Sequence, residues 1–325
     1  MTLKKIDEGI YAQDSISSEI ANIDGIIFDC DGVLVNVSNS YDLAIQRTTA
    51  YVLKEIAGIP NFYPVTSKII EGFKATGGFN DEVDLTYAAI LSLAAANNLN
   101  KQGNQFIFKV IENADQTGIK SVEKFLEISN ADITKIKKKL DYPGLHHKNL
   151  LYSIFDQLFY GPELYYKLFK KKSNFLEQGL IENDIVLVKK ELLDKLKKKF
   201  DEKIAIVSGR GFESIRYSLK ELLDEFNLED SVFLEDEPRE LGKPNPDSLV
   251  RAFNGIGSSH CLYVGDSMED LIMAQKATVM GKKTTFCGII GTSKFQEEKR
   301  KLFEEKNVPL VVNSINQLPK VLNLV

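Results

Sequence analysis

The chain has 325 residues, which suffices for one large domain or two ordinary ones, and it is 43% hydrophobic and 27% charged, as soluble globular proteins are. Its formal net charge is −5, and no basic arm or stripe stands out, which argues against nucleic acid as a partner. No apolar run approaches the ~18 residues of a membrane span, and no signal sequence is visible. Three cysteines without metal-type spacing are typical of a reduced protein, so we expect a cytoplasmic location.

The first predicted element of note is a strand at residues 25–28, which runs directly into Asp29. The next stretch, residues 37–183, has no convincing buried strand and reads as helices. These predicted helices are residues 41–57, 66–73, 83–97, 121–129, 131–140 and 149–159. The sequence therefore predicts an all-α module inserted after the first strand.

Beyond the insertion, short apolar runs alternate with amphipathic helical patterns. The runs are residues 204–207, 232–234, 261–264 and 308–312, and the helical patterns are residues 189–200, 213–226, 246–253, 268–277 and 294–306. Short continuous apolar runs favour strands that are covered on both faces. Their alternation with helices predicts an α/β fold with a doubly wound, mainly parallel sheet. We expect a core of residues 1–36 and 184–325 and an α-helical cap of residues 37–183.

Polar residues end several of the predicted strands, and in open α/β sheets ligands bind beyond the carboxyl ends of strands. Asp29 and Asp31 are two residues apart in extended backbone, so they can face one site. Two close carboxylates favour a bound cation or a shared proton. A calcium-binding loop would need an oxygen ligand at the position of Val33 and a glycine at the position of Leu34. The segment therefore does not match a calcium-binding loop.

A second acidic pair follows a later strand: Asp266 ends the strand, and Asp270 lies about one helical turn further on. Hard oxygen ligands of this kind suit Mg²⁺. Ser208 offers a hydroxyl at another strand end, beside backbone N–H groups able to hold an anion. Lys243 can bring a positive charge. Together these residues predict an acidic metal site next to a phosphate-binding site.

The order of these motifs resembles the haloacid dehalogenase superfamily. The four motifs are Asp-x-Asp-Gly-Val at residues 29–33, Ser-Gly-Arg at 208–210, Gly-Lys-Pro-x-Pro at 242–246 and Gly-Asp-Ser-x-x-Asp at 265–270. The insertion after the first motif resembles the subfamily with an α-helical cap, which includes phosphoglycolate phosphatase and β-phosphoglucomutase. The cap segment 74–86 resembles a poorly characterised branch of that subfamily.

This resemblance implies a role for each motif residue. Asp29 would attack phosphorus and become an aspartyl-phosphate, and Asp31 would act as the general acid and base. Mg²⁺ would be held by Asp29, the main-chain carbonyl of Asp31 and Asp266, with Asp270 close by or acting through water. The residues expected to bind the phosphoryl group are Ser208, Gly209, Arg210 and Lys243.

The expected partner is a small phosphorylated metabolite, and the expected assembly is a monomer or a homodimer. Lys74, Asn80 and Asp84 of the cap are predicted to contact the substrate. A phosphomutase, a phosphonate hydrolase with Lys74 as Schiff base, and a non-catalytic binding protein remain alternatives, whereas Asp31 disfavours dehalogenation. We also expect His260 to lie on the surface.

Overall fold

The computed structural model describes residues 2–79, 81–144 and 148–324, and the chain separates into two compact units. One unit joins Met1–Ser38 to Ile185–Val325, and the other is Asn39–Asp184. Among the described residues, no helix combines the length and the apolarity needed to cross a membrane.

The first unit is built on an eight-stranded sheet and a separate pair of short strands. In chain order the strands are β1 (Lys4–Asp7), β2 (Ile10–Ala12), β3 (Gly25–Phe28), β4 (Val35–Asn36), β5 (Ile185–Val186), β6 (Ile204–Ser208), β7 (Val232–Phe233), β8 (Cys261–Gly265), β9 (Thr284–Ile289) and β10 (Leu310–Val312). The large sheet has the order β1-β2-β10-β9-β8-β3-β6-β7, and β4 pairs with β5. From β10 to β7 all neighbours are parallel, whereas β2 runs antiparallel to β10 and to β1. The predicted doubly wound, mainly parallel sheet is therefore confirmed.

The register of the central strands places their carboxyl ends side by side. Phe28 at the end of β3 is aligned with Ile206 of β6 on one side and with Val264 of β8 on the other. Every residue of these three strands is buried, as parallel strands covered on both faces require. The residues that follow β3, β6 and β8 consequently lie at one edge of the sheet.

Helices flank this sheet. They are α1 (Ile16–Ile20), α9 (Lys190–Phe200), α10 (Phe212–Leu219), α11 (Asp247–Gly255), α12 (Met268–Val279), α13 (Gln296–Glu305) and α14 (Leu318–Val321). In α9 the buried side chains are Leu192, Leu193, Leu196 and Phe200, and the three lysines of its last turn are exposed. This is the apolar stripe of a helix that packs on a sheet.

The second unit contains no strand among its described residues. Its helices are α2 (Tyr41–Tyr51), α3 (Ser67–Lys74), α4 (Glu82–Asn98), α5 (Gly103–Glu112), α6 (Ile119–Ile128), α7 (Thr134–Leu140) and α8 (Leu150–Phe169). Helix α4 is buried along most of its length, and such an all-round apolar helix belongs in the centre of a bundle. Phe155 and Phe159 of α8 stack on Tyr41 of α2, so the aromatic stretch forms part of this core.

Candidate active site

Asp29 follows β3 directly, and its backbone N–H donates to Val264 O of β8 across 2.8 Å. This hydrogen bond continues the parallel ladder by one residue and fixes the aspartate at the edge of the sheet. Cys30 is fully buried, and Asp31 emerges again with 20% of its side chain exposed. The alternation of extended backbone thus directs the Cys30 thiol into the fold and the Asp31 carboxylate away from it.

Lys243 links two buried carboxylates. Its Nζ lies 2.8 Å from Asp29 Oδ1 and 2.7 Å from Asp270 Oδ1, and its side chain is 1% exposed. Burial raises the pKa of the Asp29 carboxyl, and the ammonium of Lys243 opposes that increase. Burial alone would lower the pKa of Lys243, but Asp270 and Asp29 together raise it. Lys243 is therefore charged and fixed against the proposed nucleophile.

Asp270 receives hydrogen bonds on both of its carboxylate oxygens. Oδ1 accepts from Lys243 Nζ and from Tyr263 Oη at 2.6 Å. Oδ2 accepts from the Ser267 hydroxyl at 2.7 Å and from the backbone N–H groups of Asp266 and Ser267. Burial raises the pKa of Asp270, but Lys243 and these hydrogen bonds outweigh it, so the pKa lies below its ordinary value.

Such a set of donors gives Asp270 a positioning role. It orients Lys243 and, through the capping box with Ser267 at the start of α12, it shapes the turn that presents Asp266. One oxygen each from Asp29, Asp266 and Asp270 lies within 4.8 Å of the others, which fits a small cation that takes hard oxygen ligands. With its oxygens bonded to protein donors, Asp270 is the weakest ligand candidate of the three.

Asp266 packs against Gly32 and pairs with a lysine that the sequence did not single out. Gly32 has φ +74°, and a Cβ built on it would lie 2.4 Å from Asp266 Cγ. Lys299 of α13 brings its Nζ to 2.7 Å from Asp266 Oδ2. The sequence predicts an amphipathic helix over residues 294–306, but no motif within it singles out Lys299. Lys243 and Lys299 therefore balance part of the negative charge of Asp29, Asp266 and Asp270. From the sequence alone, a bound cation was expected to balance that charge.

The predicted phosphate-binding site at the end of β6 has fewer available backbone N–H donors than the sequence suggests. Ser208 is fully buried, and its hydroxyl accepts from the backbone N–H of Arg210 at 3.2 Å. The next two N–H groups, of Gly211 and Phe212, donate to the carboxylates of Glu235 and Asp236 at 3.0 and 2.7 Å. Acidic side chains favour a helix N-terminus, so the turn after β7 occupies these donors. The Ser208 hydroxyl and the Gly209 N–H remain the candidates for binding a phosphoryl oxygen.

Arg210 does not fit its predicted role as a substrate ligand. Its side chain is 1% exposed, and its Nε lies 2.7 Å from Asp31 Oδ1. A guanidinium this deeply buried needs a fixed carboxylate partner, and Asp31 is that partner. The arginine therefore contacts a candidate catalytic group from the interior of the fold.

The candidate residues of the second unit make contacts within that unit. Lys74 Nζ lies 3.2 Å from Glu82 Oε1, and Asp84 accepts a hydrogen bond from the Tyr142 hydroxyl. Burial raises the pKa of Glu82, and Lys74 opposes this increase. Asn80 lies outside the described residues, so its predicted substrate contact stays a prediction.

The expectation that His260 lies on the surface is wrong. Its side chain is 3% exposed, and its Nε2 lies 2.8 Å from Thr285 Oγ1 of β9. The reason is that β9 was not predicted: its first residues, Thr284 and Thr285, follow two lysines and look like a polar loop. With β9 in place beside β8, the residue before β8 becomes covered.

Comparisons with known proteins agree with this fold. The family described as haloacid dehalogenase-like hydrolase matches residues 23–278. The phosphatase Tt82 from Thermococcus thioreducens has a similar structure, with 21% identity, a TM-score of 0.55, and coverage of 85% of this chain and 98% of that one. A β-phosphoglucomutase from Clostridium difficile is similar at 15% identity and a TM-score of 0.46, over 93% of this chain and 97% of that one.

One curated protein also matches over part of its length. An imidazoleglycerol-phosphate dehydratase from Phytophthora nicotianae is 31% identical over 105 residues, which are 30% of this chain and 22% of that protein. The chain thus spans about a fifth of the length of the curated relative that it matches.

Proposed function

Because the chain belongs to the haloacid dehalogenase-like hydrolase family, we propose that it hydrolyses a phosphate monoester of a small metabolite through an aspartyl-phosphate on Asp29. One observation carries the proposal: Asp29 stands at the carboxyl end of a central strand, with Lys243 Nζ 2.8 Å from its Oδ1. In this proposal residues 1–36 and 184–325 are the catalytic core, and residues 37–183 are a cap that selects the substrate.

The proposed reaction has two steps, and in both of them residues of the first unit form the bonds and transfer the protons. In the first, an oxygen of Asp29 forms a bond to phosphorus, the ester bond breaks, and Asp31 gives its proton to the leaving oxygen. In the second, Asp31 takes a proton from water, the water oxygen bonds to phosphorus, and the bond from Asp29 to phosphorus breaks. Ser208 and Lys243 stabilise the charge on the phosphoryl oxygens during both steps.

The carboxylates of Asp29 and Asp266 are hard oxygen donors that suit Mg²⁺, and the main-chain carbonyl of Asp31 would be the third ligand. When bound, Mg²⁺ offsets the repulsion between the Asp29 carboxylate and the phosphate. Asp270 supports this site by orienting Lys243 and the Asp266 turn, through the hydrogen bonds to its two oxygens.

Two alternative reactions share parts of this machinery. A phosphomutase would form the same aspartyl-phosphate and return the phosphoryl group to a sugar, so isomer formation, measured beside phosphate release, separates the two. A phosphonate hydrolase would need Lys74 as a Schiff-base amine. The ion pair of Lys74 with Glu82 at 3.2 Å favours the ammonium form, which is not nucleophilic, and disfavours that reaction.

The test is a screen of phosphorylated metabolites for phosphate release with Mg²⁺, followed by trapping of the intermediate. Acid-quenched enzyme should carry a phosphoryl group on the peptide that contains Asp29. Asp29→Asn should fold, release no phosphate and trap no phosphoryl group, because an amide does not attack phosphorus. Asp247→Asn, at an exposed position of α11, is the matched control and should behave as wild type. Wild-type turnover by Asp29→Asn would refute the proposal.

A further inference from the structure

We propose that Arg210 is a positioning residue that holds the Asp31 carboxylate in the orientation needed for proton transfer. The inference rests on the proposed function, in which Asp31 is the general acid and base. It assigns to the last residue of the Ser-Gly-Arg motif a role that is separate from phosphate binding.

The first observation is burial. Arg210 is among the largest fully buried side chains of the described chain, with 1% of its surface exposed. Arginine is almost never fully buried unless it is paired, since removing a charge from water is costly. A charged partner of Arg210 is Asp31, whose Oδ1 lies 2.7 Å from the Nε of Arg210.

The second observation is how the guanidinium itself is held. Its NH1 group donates to Ser218 Oγ on α10 across 3.1 Å, and the Ser218 hydroxyl donates to Ser214 O one turn earlier. Arg210 is therefore fixed at one end by its backbone after β6 and at the other by α10. A guanidinium fixed in this way keeps its positive charge at a fixed place beside Asp31 Oδ1.

The third observation is that the Asp31 side chain is more exposed to solvent than the Arg210 side chain. Asp31 keeps 20% of its side chain exposed, whereas Arg210 lies behind it with 1%. A ligand that approaches the carboxyl edge of the sheet would reach the carboxylate before the guanidinium. The charge at Arg210 Nε acts on Oδ1 across 2.7 Å as an ion pair, and in this proposal that attraction restricts the rotation of the Asp31 carboxylate and so the direction of Oδ2. A general acid or base acts only within hydrogen-bond reach of the proton it transfers, so this orientation matters for turnover more than for binding.

The pair also joins neighbouring parts of the sheet. Asp31 follows β3 and Arg210 follows β6, and these two strands are adjacent and parallel. The ion pair thus couples the turn that carries the nucleophile and the acid to the turn that carries Ser208. Loss of Arg210 should release Asp31 while leaving the Asp29–Lys243 contact in place.

The experiment is a double-mutant cycle with Arg210→Met, Asp31→Asn and the double variant, assayed on the best alkyl phosphate from the metabolite screen. We expect Arg210→Met to lower kcat by about 10- to 100-fold, a part of what general acid–base catalysis supplies, with KM nearly unchanged. In the Asp31→Asn background the same substitution should change kcat less than about twofold, since residues that act as a unit are not additive. Arg216→Met, which removes an exposed arginine of α10, should have no effect.

Other variants and a crystal structure test the role of Arg210 if one variant is unstable or the substrate class is wrong. The double variant removes both charges of the Arg210–Asp31 ion pair, so it should fold even if Arg210→Met does not, and Arg210→Lys retains the charge without the planar fork. A crystal structure of Arg210→Lys or Arg210→Met needs no substrate: an Asp31 carboxylate in its wild-type orientation would overturn the inference. A raised KM with unchanged kcat, or an equal loss in the Asp31→Asn background, would also overturn it. Failure of the wild type to release phosphate would instead count against the proposed function.

Discussion

The phenol of Tyr263 donates a hydrogen bond to Asp270 Oδ1 across 2.6 Å in the interior of the first unit. The same oxygen accepts from Lys243 Nζ at 2.7 Å, so a neutral and a charged donor converge on it. Burial and the nearby carboxylate raise the pKa of Tyr263 well above its ordinary value, which keeps the phenol protonated and able to donate. Tyr263 thereby helps to position a lysine that contacts Asp29.

Tyr263→Phe should lower the free energy of unfolding by about 1 kcal/mol, the usual net contribution of one hydrogen bond. The cost stays modest because Asp270 keeps its other donors. We expect kcat to fall by less than tenfold, since Lys243 retains its ion pairs. Urea denaturation and steady-state kinetics measure both effects. Tyr166→Phe, at a position that is 55% exposed, is the control, and an equal loss of stability there would contradict the assignment.

Gly32→Ala should impair the site beyond the ordinary cost of a left-handed alanine. Gly32 has φ +74°, and the added methyl group would meet Asp266 Cγ at 2.4 Å. The backbone conformation alone costs roughly 1–2 kcal/mol, and the collision must also displace the Asp266 carboxylate. We expect lower stability, weaker Mg²⁺ binding by calorimetry and lower kcat.

Gly257→Ala separates these two effects. Gly257 also has positive φ, +62°, but nothing lies within 4 Å of its added Cβ. It should therefore show the backbone cost without any change in metal binding or turnover. If both glycine variants lose metal binding equally, the contact between Gly32 and Asp266 does not shape the site.

Turnover should require Mg²⁺ and vanish in excess EDTA, because one carboxylate oxygen each of Asp29, Asp266 and Asp270 lies within 4.8 Å of the others and close carboxylates favour a bound cation. Asp266→Asn should weaken Mg²⁺ binding, measured by calorimetry, since it removes a charged ligand. Calcium should restore little activity, because its looser and higher coordination misplaces the nucleophile. Undiminished turnover in EDTA, with metal content checked by elemental analysis, would refute the metal requirement.

Much of this site could be predicted from sequence because its residues end buried strands. Asp29, Ser208 and Asp266 each follow an apolar run, and the parallel register brings those ends together. Arg210, Tyr263 and Lys299 could not be placed in the same way. Their contacts depend on side chains that reach across elements, and strand periodicity carries no information on that.

The fold shows the same division. The strands with continuous apolar sequence, such as β3 and β8, are where the pattern predicts them. Strand β1 was missed because all of its residues are exposed, so no apolar run marks it. Helix α5 was missed because the helical pattern of residues 103–112 follows a polar turn without a strong cap.

The pH dependence of stability should carry a signature of His260. Burial and the neighbouring Lys283 lower its pKa below the ordinary 6.5, so the unfolded chain binds a proton before the folded chain does. The free energy of unfolding is then fully retained above pH 6.5 and falls as the pH drops below it, by at most about 1.4 kcal/mol per pH unit for one group. Thermal melts should show His260→Asn with a flatter profile just below pH 6.5. Parallel profiles for the two proteins would contradict this.

Variants of Lys74 and Glu82 separate two possible roles of Lys74, in substrate recognition and in the stability of the second unit. Its Nζ lies 3.2 Å from Glu82 Oε1, and the two side chains are 28% and 16% exposed. Lys74→Met removes the ammonium that lies 3.2 Å from the largely buried Glu82 carboxylate, and it should lower the free energy of unfolding by about 1–2 kcal/mol. The double variant Lys74→Met/Glu82→Gln removes both charges, so it should regain most of that stability.

If Lys74 recognises the substrate, kcat/KM for the metabolite should stay low in both variants. The loss in kcat/KM should correspond to roughly 1–3 kcal/mol of transition-state binding. A small aryl phosphate, which offers nothing for Lys74 to bind, should be hydrolysed at the wild-type rate by the stable double variant. We expect this outcome because, in the proposed function, the core residues bind the phosphoryl group and other residues must discriminate between substrates. Recovery of metabolite turnover together with stability would show instead that Lys74 only holds the second unit together.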